Sequence, residues 1–383
     1  MVHIQIYGHI PFFFILGRGL FQCPQMRSIF FLSFLAFFLY ACTTDREDNS
    51  KSIFYDDMKK CTHLVELFEK ADYEIIPLRI DSSALPAVGM KFFAYQDYLL
   101  IGDNQYTHTI FLYNNQGEFL HTIGSKGEAP HEYSALIDFS VHHDTVSIAD
   151  IGGSGDCFLH YDLNGNFFGK TKLPNRIVSF AKDSEGKYII NSGRNAYQGN
   201  WQITHYTKDL KVIGQYWELN KDENNIPVFE QNFSCSDNEV FFHEAFNNQL
   251  YKLANNRFEP SYQLIFDSTN DFSRIRTGNF MTEVDALYKK GFYLLNGYLE
   301  SESDIFLSLD YIKDSKTEKQ VLGVYNKKLR EGNIFEMPPS SIFMGNLRNN
   351  ILYLMTSDYF INEQFPDIEK TEETDIYVLK VML

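Results

Sequence analysis

One strand type recurs along this chain, and its spacing limits the fold more than any other feature. It reads YLLIGD at 98–103, TVSIAD at 145–150, KYIINS at 187–192, EVFFHE at 239–244, GFYLLN at 291–296 and ILYLMT at 351–356. From Ile101 to Ile148, Ile190, Phe242, Leu295 and Leu354 the steps are 47, 42, 52, 53 and 59 residues. A period of that length marks a supersecondary unit that buries its apolar face by stacking on its neighbours. Each unit continues with a further strand: TIFLYNNQG, CFLHYDLNG, WQITHYTKD, NQLYKLANN, a longer DIFLSLDY…LGVYNKK segment, and TDIYVLKVML. An outer strand follows, such as EFLHTIG, NFFGKTKL or KVIGQYWEL, and the joints NQGE and NGN are Asn/Gly hairpin turns.

The sixth unit ends at Leu383 without an outer strand, while a spare strand, DYEIIPLRI (72–80), stands at the front. A ring that lends its first strand to its last unit has no open edge. The expected fold is therefore all-β: a six-bladed β-propeller over 72–383, closed by an N-terminal strand that completes the last blade. A short amphipathic helix is expected before it, over 56–71. There Met58, Cys61, Leu64, Val65 and Phe68 share one side at helical spacing, and Asp56 or Asp57 can cap the start.

From Met26 the chain reads MRSIFFLSFLAFFLYAC, a basic start, an apolar run and a small-residue end. This is the pattern of a secretory signal, too short to span a membrane. Residues 1–41 are read as a signal peptide whose true start is Met26. Leu39-Tyr40-Ala41-Cys42 resembles the bacterial lipobox, which makes Cys42 the lipidated residue and 42–55 a tether to the outer membrane. The expected location is the cell envelope, periplasmic or surface-exposed. The formal net charge of −16 and the lack of a basic stripe argue against nucleic acid as a partner. Cys61, Cys157 and Cys235 show no disulfide framework and no zinc spacing.

GSKGEAPHEY (124–133) falls between an outer strand and the next innermost strand, so it is an inter-blade crossing. It lacks the GxxxxGK[ST] of a phosphate loop. Gly124 and Gly127 permit a tight bend, Pro130 stiffens the approach, and Glu132 is expected to bond amides of a neighbouring blade. TIGSKGEAPHEY, then SIAD, then FLHYDLNGNFFGK resembles the signature of six-bladed β-propeller lipoproteins of Bacteroides-type bacteria, which are similar to NHL and TolB-like propellers. Gly124, Gly127, Pro130, Glu132 and Tyr133 match that pattern, and Ala129 stands where a third glycine is common. The resemblance implies fold and envelope location and no particular activity.

Strand order gathers the ends of the second strands and the crossings on one face of the ring. Asp103, Lys126, Glu132, Asp150, Asn191, Arg194, His243, Glu244 and Asn296 are the candidate ligand-binding residues of that channel face. No catalytic residue and no metal ligand is assigned. His160-Tyr161 and His205-Tyr206 occupy equivalent places and read as repeat packing rather than a metal pair. DLNGNF (162–167) has its glycine too early for a calcium loop, and GGSGD (152–156) is not GxSxG. No cofactor is predicted, although the carboxylates could suit calcium or another channel metal. The leading function is a binding module for a carbohydrate, peptide or envelope protein. The alternatives are a propeller enzyme of lyase, esterase or glycosidase type and a scaffold of an outer-membrane complex.

Overall fold

The turn residues act as the sequence leads one to expect. Asn114 Oδ1 accepts the amides of Gln116 and Glu118, and Gly117 takes a positive φ of 81° in the same turn. Asp162 repeats the arrangement with Asn164 and Asn166, next to Gly165 at 82°. These side chains mimic a backbone turn and reverse the chain between the third and fourth strands of a sheet. The structure, a computed structural model, describes residues 51–68, 71–79, 91–152, 155–193, 201–220, 232–236, 239–275, 277–366 and 376–383. The signal peptide, Met26, Cys42 and the tether as far as residue 50 lie outside the described residues, as does Arg194.

The fold is all-β with few helices and a propeller-like arrangement of sheets. Three antiparallel sheets have four strands each, spanning 91–123, 136–172 and 179–218. A fourth joins Lys59–Cys61 to Glu331–Met337, Lys316–Asn326, Asp304–Lys313 and Phe292–Glu300. The remaining strands form one nine-stranded sheet, so four sheets of blade size stand apart where six were expected. Its two halves, 233–265 and 342–382, meet through the single parallel pair Ser236 and Leu347. Asp72–Leu78 pairs antiparallel with Ile376–Met382, Leu78 opposite Ile376.

The first strands touch one another in sequence: Lys91–Tyr95, Leu136–His142, Ser179–Lys182, Phe233–Ser236, Phe292–Glu300, Ile342–Arg348 and back to Lys91–Tyr95. Apolar side chains of each sheet fill the wedge to the next, as where Phe139 and Leu136 pack with Leu100 and Tyr133. Four third strands carry the same register shift, at Leu112/Tyr113, His160/Tyr161, His205/Tyr206 and Leu250/Tyr251. The two His-Tyr pairs thus hold equivalent bulges, and each histidine bonds inside its own sheet, His160 to Ser147 and Thr171 and His205 to Asp183.

Three expectations need correction. The helix over 56–71 is reduced to a single turn, Leu64–Leu67, after a 3-10 turn at Tyr55–Asp57 and a strand at Lys59–Cys61. Residues 51–54 of the expected tether are also a strand, parallel to Tyr262–Ile265. Outer sheet edges offer backbone partners to 51–54 and 59–61, and Ile53, Met58, Leu64 and Leu67 drop onto the sheets while Val65 stays exposed. GFYLLN belongs to the first strand of its sheet, not the second. Its sheet has strands of up to eleven residues, and Asn279 caps an unforeseen helix, Phe280–Lys290, that enters it through Gly291.

Candidate functional site

The second strands end in polar residues, and most of these hold the chain itself. Asp103 is fully buried. Its Oδ1 accepts the amides of Gln105 and Tyr106, and its Oδ2 accepts the amide and hydroxyl of Thr107. Asp150 Oδ1 accepts the amides of Ser134 and Ala135, which ties the preceding crossing to the sheet it enters. Asn191 accepts from the Gly193 amide and donates to Ser179 and Asn232. Glu244 is buried and accepts from Gln202 and Asn247. These are charge-assisted or buried bonds to nearby backbone and amide groups, the usual means of satisfying loop donors.

The GSKGEAPHEY stretch is a closed loop. Gly127 and Tyr133 bond across it, and Lys126 bridges to Tyr133 with its side chain in solvent. Glu132 takes the Ala129 amide at 2.9 Å, so it closes its own loop and not a neighbouring blade. A Cβ on Gly127 would fall 1.9 Å from the Glu132 carboxylate, and this close approach accounts for the glycine. Lys126 and Glu132 are therefore architectural here.

His243 and Asn296 do come together, in a cavity of about 320 Å³ bounded by the end of Glu239–His243, the middle of Phe292–Glu300, Asp304–Lys313 and Lys316–Asn326, and the start of Ile342–Arg348. Gln105, Asn232, Ser308, Asp310, Gln320 and Ser340 contribute its other polar side chains, and Ala245, Leu295, Ile342, Phe343 and Met344 its apolar wall. Asn232 is locked to the backbone of His243 in both directions, and Gln320 to that of Ile342. Two polar atoms remain unpartnered and buried, Nδ1 of His243 and Oδ1 of Asp310. Burial pulls the imidazole of His243 down to about 4, so it is neutral at neutral pH. Burial also raises the carboxyl of Asp310 and outweighs the hydrogen bond from Asn296. The result is a small cavity that holds a neutral imidazole and a buried carboxyl, with one polar atom of each still to satisfy.

Asp310, Asn232 and Gln320 were not singled out from the sequence. The available signal was Ser308 and Asp310 in DIFLSLDY, polar residues on alternate positions of an otherwise apolar strand. Among the described residues no group of three or more His, Cys, Asp or Glu side chains is placed to hold a metal ion. Among them, too, no helix is long and apolar enough to cross a membrane.

Fold and cavity together define a propeller-like all-β protein with a polar-lined pocket near the axis. The chain belongs to the family described as Domain of unknown function (DUF4934), which matches residues 53–371. A search of curated proteins finds no match. Among solved structures it is similar to a candidate exported protein of Bacteroides fragilis, with 16% identity and a TM-score of 0.65, over 86% of this chain and 98% of that one. A DUF4221 family member from Bacteroides vulgatus gives 11% identity and a TM-score of 0.48, over 82% and 97%. The extracellular domain of a candidate hybrid two-component system of B. thetaiotaomicron gives 12% and 0.43, over 81% and 40%.

Proposed function

We propose that the protein is a lipid-anchored module of a bacterial cell envelope, a six-bladed β-propeller that binds a neutral polar ligand, a carbohydrate or peptide, in the His243 cavity. The observation that carries the binding reading is the pair of buried, unpartnered atoms, His243 Nδ1 and Asp310 Oδ1, lining one cavity. Native interiors rarely leave such atoms unsatisfied, because each costs about 1–3 kcal/mol. A ligand hydroxyl or amide supplies the missing partners, and a neutral imidazole asks for no counter-charge. The apolar wall of Leu295, Ile342 and Met344 suits the nonpolar face of a sugar ring or a side chain.

Support for six blades comes from the ring of first-strand contacts. The nine-stranded sheet then counts as two blades bridged at Ser236 and Leu347, and Asp72–Leu78 serves as the outer strand of the last. The envelope address is supported by the lipobox-like Leu39-Tyr40-Ala41-Cys42 and by the fold shared with a candidate exported protein.

The test is calorimetric titration of the purified protein with a panel of neutral oligosaccharides and short peptides. His243→Leu and Asp310→Asn are each expected to weaken a bound ligand about tenfold, the ~1.4 kcal/mol of one net hydrogen bond. A ligand held equally by both variants would refute the placement in this cavity.

A further inference from the structure

Among the described residues, every one that lines the His243 cavity comes from 232–344 except Gln105. Gln105 belongs to the first sheet, on the turn between Tyr98–Asp103 and Thr109–Asn114. It is exposed as well as lining the cavity, which puts it at the mouth. The turn is clamped at both ends. Asp103 Oδ1 accepts the amides of Gln105 and Tyr106, and its Oδ2 takes the amide and hydroxyl of Thr107. The Tyr133 hydroxyl, from the GSKGEAPHEY crossing, donates to the His108 carbonyl at 2.7 Å. None of these bonds uses the Gln105 carboxamide, which makes no hydrogen bond among the described residues. A backbone held in this way leaves a ligand only one side chain to order.

The other polar groups around the cavity divide into spent and unspent. Asn232 and Gln320 give their amides to the backbones of His243 and Ile342, while His243 Nδ1 and Asp310 Oδ1 have no partner. Among the described residues no lysine or arginine lines the cavity, so a ligand carboxylate or phosphate meets no counter-charge there. A carboxamide presents a C=O acceptor and an N–H donor side by side. Adjacent hydroxyls of a sugar ring offer a donor and an acceptor in the same sense and can engage both at once. A trans peptide unit turns its N–H and C=O in opposite directions, so it engages only one of the two. The apolar wall of Ala245, Leu295, Ile342, Phe343 and Met344 suits the C–H face of such a ring.

Resting on the binding reading of the His243 cavity, we infer that Gln105 is a specificity-determining contact of that site, and that the ligand is a neutral carbohydrate whose adjacent hydroxyls pair with the Gln105 carboxamide. The turn that Asp103 holds thus brings a recognition group from the first sheet to a cavity built by the later ones.

The experiment is calorimetric titration of the purified protein with neutral gluco-, galacto-, manno- and xylo-oligosaccharides and, separately, with end-capped neutral dipeptides. Saturable one-to-one binding of at least one oligosaccharide is expected. Gln105→Leu is expected to weaken it at least tenfold, and Tyr106→Ala, on the same turn but outside the cavity lining, to leave it unchanged. Both side chains are exposed, so urea unfolding is expected to give both variants the stability of the native protein. An oligosaccharide that His243→Leu weakens but Gln105→Leu binds with native affinity would overturn the role of Gln105 and leave the cavity reading standing. Binding of dipeptides alone, weakened by His243→Leu, would overturn the carbohydrate assignment and again spare the cavity. No saturable binding of any probe, or native affinity in both the His243→Leu and Asp310→Asn variants, would overturn both.

Discussion

Replacing Asp103 by alanine tests whether the buried carboxylates at the strand ends serve the chain or a ligand. Its carboxylate takes four hydrogen bonds, at 2.9 and 2.8 Å from the amides of Gln105 and Tyr106 and at 3.0 and 2.9 Å from the amide and hydroxyl of Thr107. Gln105, Tyr106 and Thr107 are exposed, so water replaces the lost acceptor and each bond costs only its net worth of about 1 kcal/mol. Four bonds set a ceiling near 4 kcal/mol. Relief of a fully buried carboxylate offsets part of it, which leaves about 3 kcal/mol. Asparagine keeps one acceptor for Gln105 and Tyr106 but turns an NH2 group toward the Thr107 amide, so Asp103→Asn is expected to cost about 2 kcal/mol. Urea unfolding followed by fluorescence reads both values, with the slope unchanged if the native state keeps its compactness. A loss under about 1 kcal/mol for Asp103→Ala would mean that the turn holds without the carboxylate. The structural reading of Asp103 would then fail, and by analogy that of Asp150.

Two further outcomes are open to direct measurement. Glu300 is buried and bonded by Lys327, Ser261 and Tyr298; burial pushes its carboxyl up, but these bonds together outweigh burial and hold it below the ordinary glutamate value. Its contribution is therefore present above pH about 4.3 and is lost as pH falls through the lower folded value; Lys327→Met, which strands the carboxylate, is expected to cost about 3–5 kcal/mol by thermal or urea unfolding at neutral pH, and a neutral effect would contradict the pairing. Gly124 has a φ of 70° and a Cβ there would lie 2.8 Å from the ring of Tyr133, so Gly124→Ala is expected to cost about 1–3 kcal/mol, and unchanged urea stability would refute the strained geometry.

How much was legible follows from how local each cause is. The turns at Asn114 and Asp162 could be read from four residues, because an Asx side chain bonds amides two and four positions on. The strand rhythm was legible for the same reason: alternation and turn residues are written into each segment. The segment 56–71 misled because apolar residues three and four apart satisfy a helix and also a chain that hugs sheet edges. Which of the two forms depends on distant edges, Arg257–Ile265 and Glu331–Met337, that only the folded ring presents. GFYLLN was assigned to the wrong strand of its sheet because a helix, Phe280–Lys290, stands where the other units place their first strand, and a register shift between Leu295 and Gly297 breaks the alternation within it. Asn296 nevertheless reached the cavity, by a route other than the one the repeat suggested.

That shift also bears on why the cavity exists where it does. In YLLIGD and TVSIAD the residue before the final aspartate is Gly102 or Ala149, and EVFFHE has His243 there. A Cβ on Gly102 would strike the ring of Phe139, and Ala149 packs in one cluster with Phe180, each phenylalanine on the first strand of the next sheet. The first two units thus set a small residue against a large one, whereas Asn191 and Met355 hold that place in KYIINS and ILYLMT. At His243 the order is reversed: the small residue is replaced by an imidazole, and the facing strand offers the displaced Leu295 and Asn296 instead of a phenylalanine. The space that an aromatic ring fills in those two units becomes a polar-lined hollow, reached by Asp310 from the unusually long second strand. Repeat-equivalent carboxylates such as Asp103 and Asp150 are consumed in holding turns and crossings. Unpartnered buried atoms also occur within the regular repeat, at Tyr113 Oη and His205 Nδ1, but His243 and Asp310 bring two of them to one cavity, and a binding role placed there costs the ring none of the bonds that Asp103 and Asp150 make.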